Sequence, residues 1–277
     1  MIQLILSDLD ETLLNDDGTI HPENIVAIQA FTQNGGYFVP NTGRSYKSVY
    51  GTLAQLGLNK TTQYVVSYNG GAIVAIAPDG QEEIVVEHGM SLTLAQKIFD
   101  LGQVNDVVDT HVYTRDNLYI YNISATDQRY MTERQVPYTE ITTTDLSFMA
   151  NEGPVMKVIF EHPDPAVQQA IADAVTAVVG DEMLVTFSSN RYVEFNPKCV
   201  DKGVTGLELA DILGIARDDT AAIGDNLNDA AQIKAAGVGV AVANAKPEIK
   251  ALADVVLTTT NNEAAVADFI QHYAQKS

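Results

Sequence analysis

The stretch Leu4-Ile5-Leu6-Ser7-Asp8-Leu9-Asp10-Glu11-Thr12 decides the reading of this chain, because an apolar run stops abruptly at two carboxylates one residue apart. A short continuous apolar run marks a strand buried on both faces, so Ile2 to Leu6 reads as a central strand of a parallel sheet. Asp8 and Asp10 then lie just past its carboxyl end, where open α/β sheets hold their ligands. Two like charges this close repel unless a cation lies between them, and an oxygen-only donor set suits a hard ion such as Mg²⁺. The stretch therefore predicts a metal-assisted site at the first strand.

Outward from this strand, helix and strand signals alternate. A helix is expected from Pro22 to Asn34 with Gly35-Gly36 as its stop, then a strand from Tyr37 to Asn41, a helix from Ser45 to Leu56 and a strand from Tyr64 to Ser67. This is the βαβαβ rhythm of a parallel sheet. After the turn signal Asn69-Gly70-Gly71 the pattern becomes a hairpin, Ala72 to Ala77 and Glu83 to Glu87 around Pro78-Asp79-Gly80. From about Glu82 to Asn190 the composition turns richer in Thr and Tyr. Helices are expected there at Leu92 to Gly102, Thr126 to Arg134 and Pro165 to Val179, and strands at Val107 to Thr114, Asn117 to Ser124, Val155 to Phe160, Leu184 to Ser188 and Tyr192 to Phe195. Parallel alternation resumes at Lys202 and runs to a closing helix from Glu263 to Ala274. The expected fold is α/β: a doubly wound, Rossmann-like parallel-sheet core of residues 1–81 and 191–277, with an inserted α+β cap over residues 82–190. Such a cap would close over the sheet edge, exclude water and supply substrate contacts.

Composition narrows the partners. With 277 residues, 46% of them hydrophobic, the chain can bury a sizeable core. Its 36 acidic residues outweigh 16 basic ones, a net charge of −20 that disfavours nucleic acid or anionic membranes as partners. A small charged substrate held by a metal and a few local cations stays compatible. Cys199 is the single cysteine, so no intramolecular disulfide can form, and with no histidine nearby in sequence it reads as a small apolar side chain. The N-terminal apolar run is too short for a signal peptide and nothing approaches a membrane span, so the expectation is a cytoplasmic protein, monomeric or homodimeric.

Four stretches share one structural address. Asp8-Leu9-Asp10-Glu11-Thr12 follows the first strand, Asn41-Thr42-Gly43-Arg44-Ser45 follows the second, and Gly224-Asp225-Asn226-Leu227-Asn228-Asp229 follows the strand ending at Ile223. Each leads towards a helix, so their amides open on one sheet edge, where anions are favoured. Asp201-Lys202-Gly203 begins the helix after the insert and brings an ammonium there. Taken singly, an Asp-x-Asp-x-Thr turn or a Thr-Gly before a helix is ordinary capping, and Lys202 is an ordinary solvated lysine. In this order and at these termini they converge on one site.

With Ser67-Tyr68-Asn69-Gly70-Gly71 and Val240-Ala241-Val242-Ala243-Asn244-Ala245 added, the sequence resembles the haloacid dehalogenase (HAD) superfamily. Within it, the resemblance is to the Cof-type phosphatases, whose cap is inserted between the second and third motifs. The resemblance implies that Asp8 is a nucleophile forming an aspartyl phosphate and Asp10 the general acid and base. It implies Mg²⁺ held by the Asp8 carboxylate, the Asp10 backbone carbonyl and the Asp225 carboxylate, with Asp229 positioning Lys202 or a metal-bound water. Thr42 and the Gly43 and Leu9 amides would hold phosphoryl oxygens, Lys202 would neutralise them and tether Asp8, and Asn228 would add a hydrogen bond. The implied substrate is a small phosphorylated metabolite, a sugar phosphate or a phosphorylated cofactor. A phosphotransferase or mutase, or a non-catalytic metabolite sensor, would keep the same residues.

Departures from the family pattern are specific. Glu11 stands where a Gly is common and is expected to face solvent. Gln232 replaces a frequent Met and Asn41 a frequent Ala, and neither change removes a reacting group. Arg44 has two readings, a substrate contact or a partner for a loop acid. Tyr113, Tyr119, Tyr121, Tyr130 and Tyr138 read as sheet packing. His21, His88, His111, His162 and His272 are scattered without metal-ligand spacing, so each reads as a surface or locally satisfied residue and no zinc enzyme is indicated.

Overall fold

The computed structural model describes residues 1–134, 136–198 and 200–274, apart from the side chain of residue 181. Cys199 lies outside the described residues. The chain divides into two compact units, Met1–Glu87 with Asp201–Ser277, and His88–Val200.

The first unit opens with β1 (Leu4–Ser7), α1 (Pro22–Gln33), β2 (Tyr37–Pro40), α2 (Tyr50–Leu56), β3 (Gln63–Ser67), β4 (Ala72–Ile76) and β5 (Glu82–Glu87). The second carries α3 (Leu92–Gly102), β6 (Asp109–Thr114), β7 (Leu118–Tyr121), α4 (Ala125–Glu133), β8 (Thr139–Ile141), β9 (Val155–Glu161), α5 (Pro165–Val179), β10 (Met183–Ser188) and β11 (Tyr192–Pro197). The first unit then resumes with α6 (Lys202–Ile212), β12 (Thr220–Gly224), α7 (Ala230–Ala235), β13 (Val238–Ala241), α8 (Pro247–Lys250), β14 (Val255–Val256) and α9 (Ala265–Phe269).

A five-stranded parallel sheet in the order β14-β13-β12-β1-β2 centres the first unit. Every residue of β1 is buried, as its unbroken apolar run requires. The register sets Ser7 beside both Ile223 and Pro40, so the chain segments beginning at Asp8, Gly224 and Asn41 reach the same edge. On one side Leu4, Leu6, Val39 and Ala222 pack with Leu209 and Ala210 of α6.

The expected third parallel strand behaves differently. Tyr64 to Ser67 does form a strand, but β3 pairs antiparallel with β4 in a separate sheet ordered β3-β4-β5, and the isolated parallel bridge Asn41–Val66, just past the end of β2, links it to the main sheet. The cause is local: β2 ends at Pro40, which has no N–H to extend a ladder, while the turn at Tyr68–Gly70 folds β4 directly back onto β3. The helix expected from Ser45 begins as a 3₁₀ turn, Tyr46–Val49, before α2. The closing helix starts at Ala265, after Ala264 adopts a left-handed φ of 61°, and ends as a π-helical turn, Ile270–Ala274.

The second unit is a six-stranded sheet ordered β10-β11-β9-β6-β7-β8, antiparallel except where β8 lies parallel to β7. Val112, Val158, Phe160, Val193 and Phe195 pack against Ala95, Ile98 and Phe99 of α3 and Ile171 and Val175 of α5. Strand alternation turns Asp109, His111, Glu161, Tyr192 and Glu194 to the opposite face. The five tyrosines join apolar clusters, Tyr119 and Tyr121 beside α3 and Tyr113, Tyr130 and Tyr138 around Met131. The expected boundaries at 81/82 and 190/191 both shift. β5 completes the β3-β4 sheet of the first unit, and β11 pairs with β10 and β9 inside the second, so hydrogen-bonded ladders move the junctions to 87/88 and 200/201. The three-residue β8 carried no sequence signal, being short, largely exposed and at the sheet edge.

Candidate active site

Asp8 leaves β1 with its N–H donating to the Ile223 carbonyl at 3.0 Å, which fixes it against the neighbouring strand. Lys202, the first residue of α6, is wholly buried and donates from Nζ to Asp8 Oδ1 at 2.6 Å and to Asp229 Oδ1 at 2.7 Å. Asp201 caps this helix by accepting from the Gly203 and Val204 N–H groups, both at 2.8 Å, so the lysine is aimed by the helix start. Gly70 makes that approach possible: its φ is +102°, and a Cβ there would lie 2.4 Å from the Asp201 carbonyl oxygen.

The loop after β12 brings the third and fourth carboxylates. Asp229 Oδ2 accepts from the Asp225 and Asn226 N–H groups, each at 3.0 Å, and Oδ1 accepts from Lys202 and from Gln232 Nε2 at 2.8 Å. Both Asp229 oxygens are thus engaged, one by the loop and the other by Lys202 and Gln232. Asp225 accepts from Thr12 Oγ1 at 2.8 Å on Oδ1. Among the described residues, nothing donates to Asp8 Oδ2 or to Asp225 Oδ2.

Carboxylate oxygens of Asp8, Asp225 and Asp229 lie within 4.8 Å of one another, all three residues buried. One ammonium against three carboxylates leaves an excess of negative charge. Burial, opposed by Lys202 and reinforced by Asp229 and Asp225, pushes the Asp8 carboxyl well above the ordinary range. Burial and then Asp229 push Asp225 up to about 7. Burial works against the Lys202 charge, yet Asp229 and Asp8 together hold its ammonium above its ordinary value. A divalent cation on the two remaining oxygens would reverse the penalty on Asp8 and Asp225. The donor set, carboxylate oxygen only, fits Mg²⁺.

Asp10 does not join this cluster through its side chain. Its carboxylate takes a two-pronged contact from Arg44, Nε to Oδ2 at 2.8 Å and Nη2 to Oδ1. Of the two readings of Arg44, the structure displays the loop ion pair. Leu9 is buried, and its carbonyl accepts the N–H groups of Thr12, Leu13 and Leu14, winding the chain into a tight turn past the strand. Glu11 within that turn is exposed at a left-handed φ of 57°, and its carbonyl accepts from Asn244 Nδ2 at 2.7 Å. The family's usual glycine suits this conformation without strain.

Thr42, Gly43 and Asn228 meet around Asn69. The Asn69 N–H donates to the Thr42 carbonyl at 3.0 Å, Asn228 Nδ2 donates to Asn69 Oδ1 at 3.4 Å, and a Cβ on Gly43 would lie 3.0 Å from that same oxygen. The sequence marks Asn69 only as part of a turn; the Asn-Gly-Gly run was the available signal, and Asn69 adopts the left-handed φ of 56° that such a run favours. Two further supports escaped it. Asn41 Nδ2 donates to the Lys202 carbonyl at 2.8 Å and to Gln232 Oε1 at 2.9 Å, while Gln232 donates to Asp229. The two departures from the family pattern are therefore partners, linking the second loop to the Lys202–Asp229 pair.

A parallel sheet whose carboxyl edge gathers a buried lysine, paired carboxylates and capped loops defines an acidic, metal-compatible α/β site. The sequence profile of haloacid dehalogenase-like hydrolases matches residues 5–270, and the chain belongs to that family. Two Bacillus subtilis relatives, the 5-amino-6-(5-phospho-D-ribitylamino)uracil phosphatases YitU and YcsE, are 27% and 28% identical over 274 and 272 residues. Those alignments cover 98% of this chain and 97% and 96% of theirs. The crystal structure of a haloacid dehalogenase-like hydrolase from Bacteroides thetaiotaomicron superposes with a TM-score of 0.83 at 26% identity, over 98% of this chain and 99% of that one.

Proposed function

We propose that this hydrolase is a Mg²⁺-dependent phosphatase acting on small phosphorylated metabolites through an aspartyl phosphate on Asp8. The observation that carries the reading is the buried Asp8–Lys202–Asp229 chain beside Asp225, which presents one carboxylate oxygen of Asp8 while clamping the other. Asp8 and Asp225 would hold Mg²⁺ with the Asp10 carbonyl, and the ion would supply charge neutralisation for the phosphoryl group.

The residues divide the remaining work. Asp8 attacks phosphorus and forms an acyl phosphate, splitting a very slow hydrolysis into two steps. Lys202 holds the nucleophile in one orientation and offsets the charge of the phosphoryl oxygens. Thr42, the Gly43 and Leu9 amides and Asn228 orient that group. Asp10 gives a proton to the leaving alkoxide and later takes one from the attacking water. Its pairing with Arg44 keeps the carboxylate placed between turnovers. The choice of leaving group is assigned to residues 88–200, as the resemblance to capped phosphatases implies. The names of YitU and YcsE make a ribityl phosphate on a nitrogenous ring the first substrate to test, alongside sugar phosphates.

The deciding experiment is release of inorganic phosphate from a panel of phosphorylated metabolites, with MgCl₂ and with EDTA, for the wild type and Asp8→Asn. Release that requires Mg²⁺ and vanishes in the variant is expected. Undiminished release by Asp8→Asn removes the nucleophile, and no release from any ester points to the sensor.

A further inference from the structure

Within residues 88–200 the polar face of the six-stranded sheet carries a second gathering of ligand-type side chains, unrelated to the phosphatase residues. Asp109 and His111 project from β6 and Asp127 from the first turn of α4, and their exposures are 0%, 1% and 0%. His111 Nε2 lies 3.2 Å from Asp109 Oδ1 and 2.8 Å from Asp127 Oδ2. None of these three buried atoms makes a hydrogen bond of acceptable geometry, and neither does His111 Nδ1. A single N–H cannot point at two carboxylates at once, so a proton satisfies this arrangement poorly.

The remaining oxygens are treated otherwise. Asp109 Oδ2 accepts from the Ser124 N–H at 2.8 Å, and Asp127 Oδ1 accepts from Tyr192 Oη at 2.6 Å and from Arg191. Each carboxylate thus has one oxygen anchored by outer donors and the other turned, with an imidazole nitrogen, to a common point. Outer donors orient metal-binding carboxylates in this way. Charge points the same way: Glu161, opposite Asp109 in register, is also buried, and Arg191 is the guanidinium that faces it and Asp127.

We propose that Asp109, His111 and Asp127 form a site for a divalent transition ion such as Zn²⁺, fastening α4 to β6. One imidazole nitrogen with two carboxylate oxygens suits zinc better than Mg²⁺ or Ca²⁺, which prefer oxygen alone. Zinc bonds of about 2.0–2.2 Å place tetrahedral ligand atoms roughly 3.3 Å apart, close to the 3.2 and 2.8 Å that separate His111 Nε2 from the two carboxylate oxygens.

The test uses the full chain carrying Asp225→Asn, which cripples the other acidic site. After equilibration with ZnCl₂ and dialysis, elemental analysis is expected to find one zinc per chain, lost when His111→Asn is added, with X-ray absorption showing imidazole scattering around the zinc. Asp127→Asn, nearly isosteric and able to keep the Tyr192 contact, is expected to weaken zinc binding by at least about 10-fold. The proposal is overturned if the Asp225→Asn chain retains no zinc, if adding His111→Asn leaves the amount unchanged, or if Asp127→Asn binds as tightly as its parent. Should the His111 variant fail to fold, an absorption spectrum without imidazole scattering overturns it equally.

Discussion

Lys202 donates to Asp8 Oδ1 at 2.6 Å across 194 positions of sequence, and through its second bond to Asp229 it holds the whole acidic edge together. Replacing it by Met leaves two buried carboxylates facing each other without their shared cation. Loss of one partner from a buried ion pair costs about 3–5 kcal/mol, and turnover is expected to fall by roughly 10²-fold or more. Urea unfolding and phosphate release measure the two losses. A Lys202→Met chain as stable and active as wild type would contradict the assigned role.

Asp10 faces a different demand. In its proposed role as proton donor to the leaving oxygen it would matter only when that oxygen is basic. Asp10→Asn is expected to slow hydrolysis of alkyl phosphates by about 10²–10⁴-fold. p-Nitrophenyl phosphate, whose leaving group departs without a proton, should suffer much less in the first step. Equal losses on both esters would place the rate effect elsewhere.

Asp225 gives the metal-free protein a characteristic pH dependence. Its carboxyl is raised by burial and by Asp229 to about 7, so the stability it contributes is complete below its ordinary value near 4 and is lost as pH rises through about 7. Asp8 shifts in the same direction. In EDTA, thermal midpoints corrected for the Asp225→Asn background should therefore decline across this window. MgCl₂ favours the ionised carboxylates, and the stabilisation it confers should grow with pH over the same range. A magnesium effect larger at pH about 4 than at about 7 would refute the assignment of these carboxylates as ligands.

Glu11 sits at a left-handed φ of 57° with its side chain exposed. Glycine adopts that conformation freely, so Glu11→Gly is expected to stabilise the protein by about 1 kcal/mol, and Glu11→Gln, which keeps the strain, is not. Chemical denaturation of the two variants separates backbone strain from charge.

Asn41 and Gln232 form a coupled pair behind Lys202. Asn41→Ala alone strands the buried Gln232 oxygen and is expected to cost about 1–3 kcal/mol. Adding Gln232→Met, the family's frequent residue, should recover part of that loss, giving a coupling energy of about 0.5 kcal/mol or more. Additive effects would show that the bond between them carries no stability.

Much of the core was written in local signals. Continuous apolar runs announce β1 and β12, Pro22 and Gly35 bound α1, and strand-end signals place the Asp-rich loops. Signals of this kind need only neighbours in the chain: burial pattern, caps and turn residues act within a few positions. They also sufficed to bring Asp8, Lys202, Asp225 and Asp229 to one edge, because parallel strands present their carboxyl ends together.

What needed the tertiary structure were partnerships between residues that share no local pattern. Strand pairing assigned β5 and β11 to their units, since a ladder depends on which strand arrives beside it and not on the strand's own composition. Arg44 chose Asp10, Asn41 found Gln232, and Lys202 met both Asp8 and Asp229, all through contacts between segments distant in sequence. The same is true of His111, which looks ordinary in its sequence and lies buried between two carboxylates once β6 and α4 are folded together. Periodicity fixes which way a side chain faces, whereas packing of remote segments fixes what it meets.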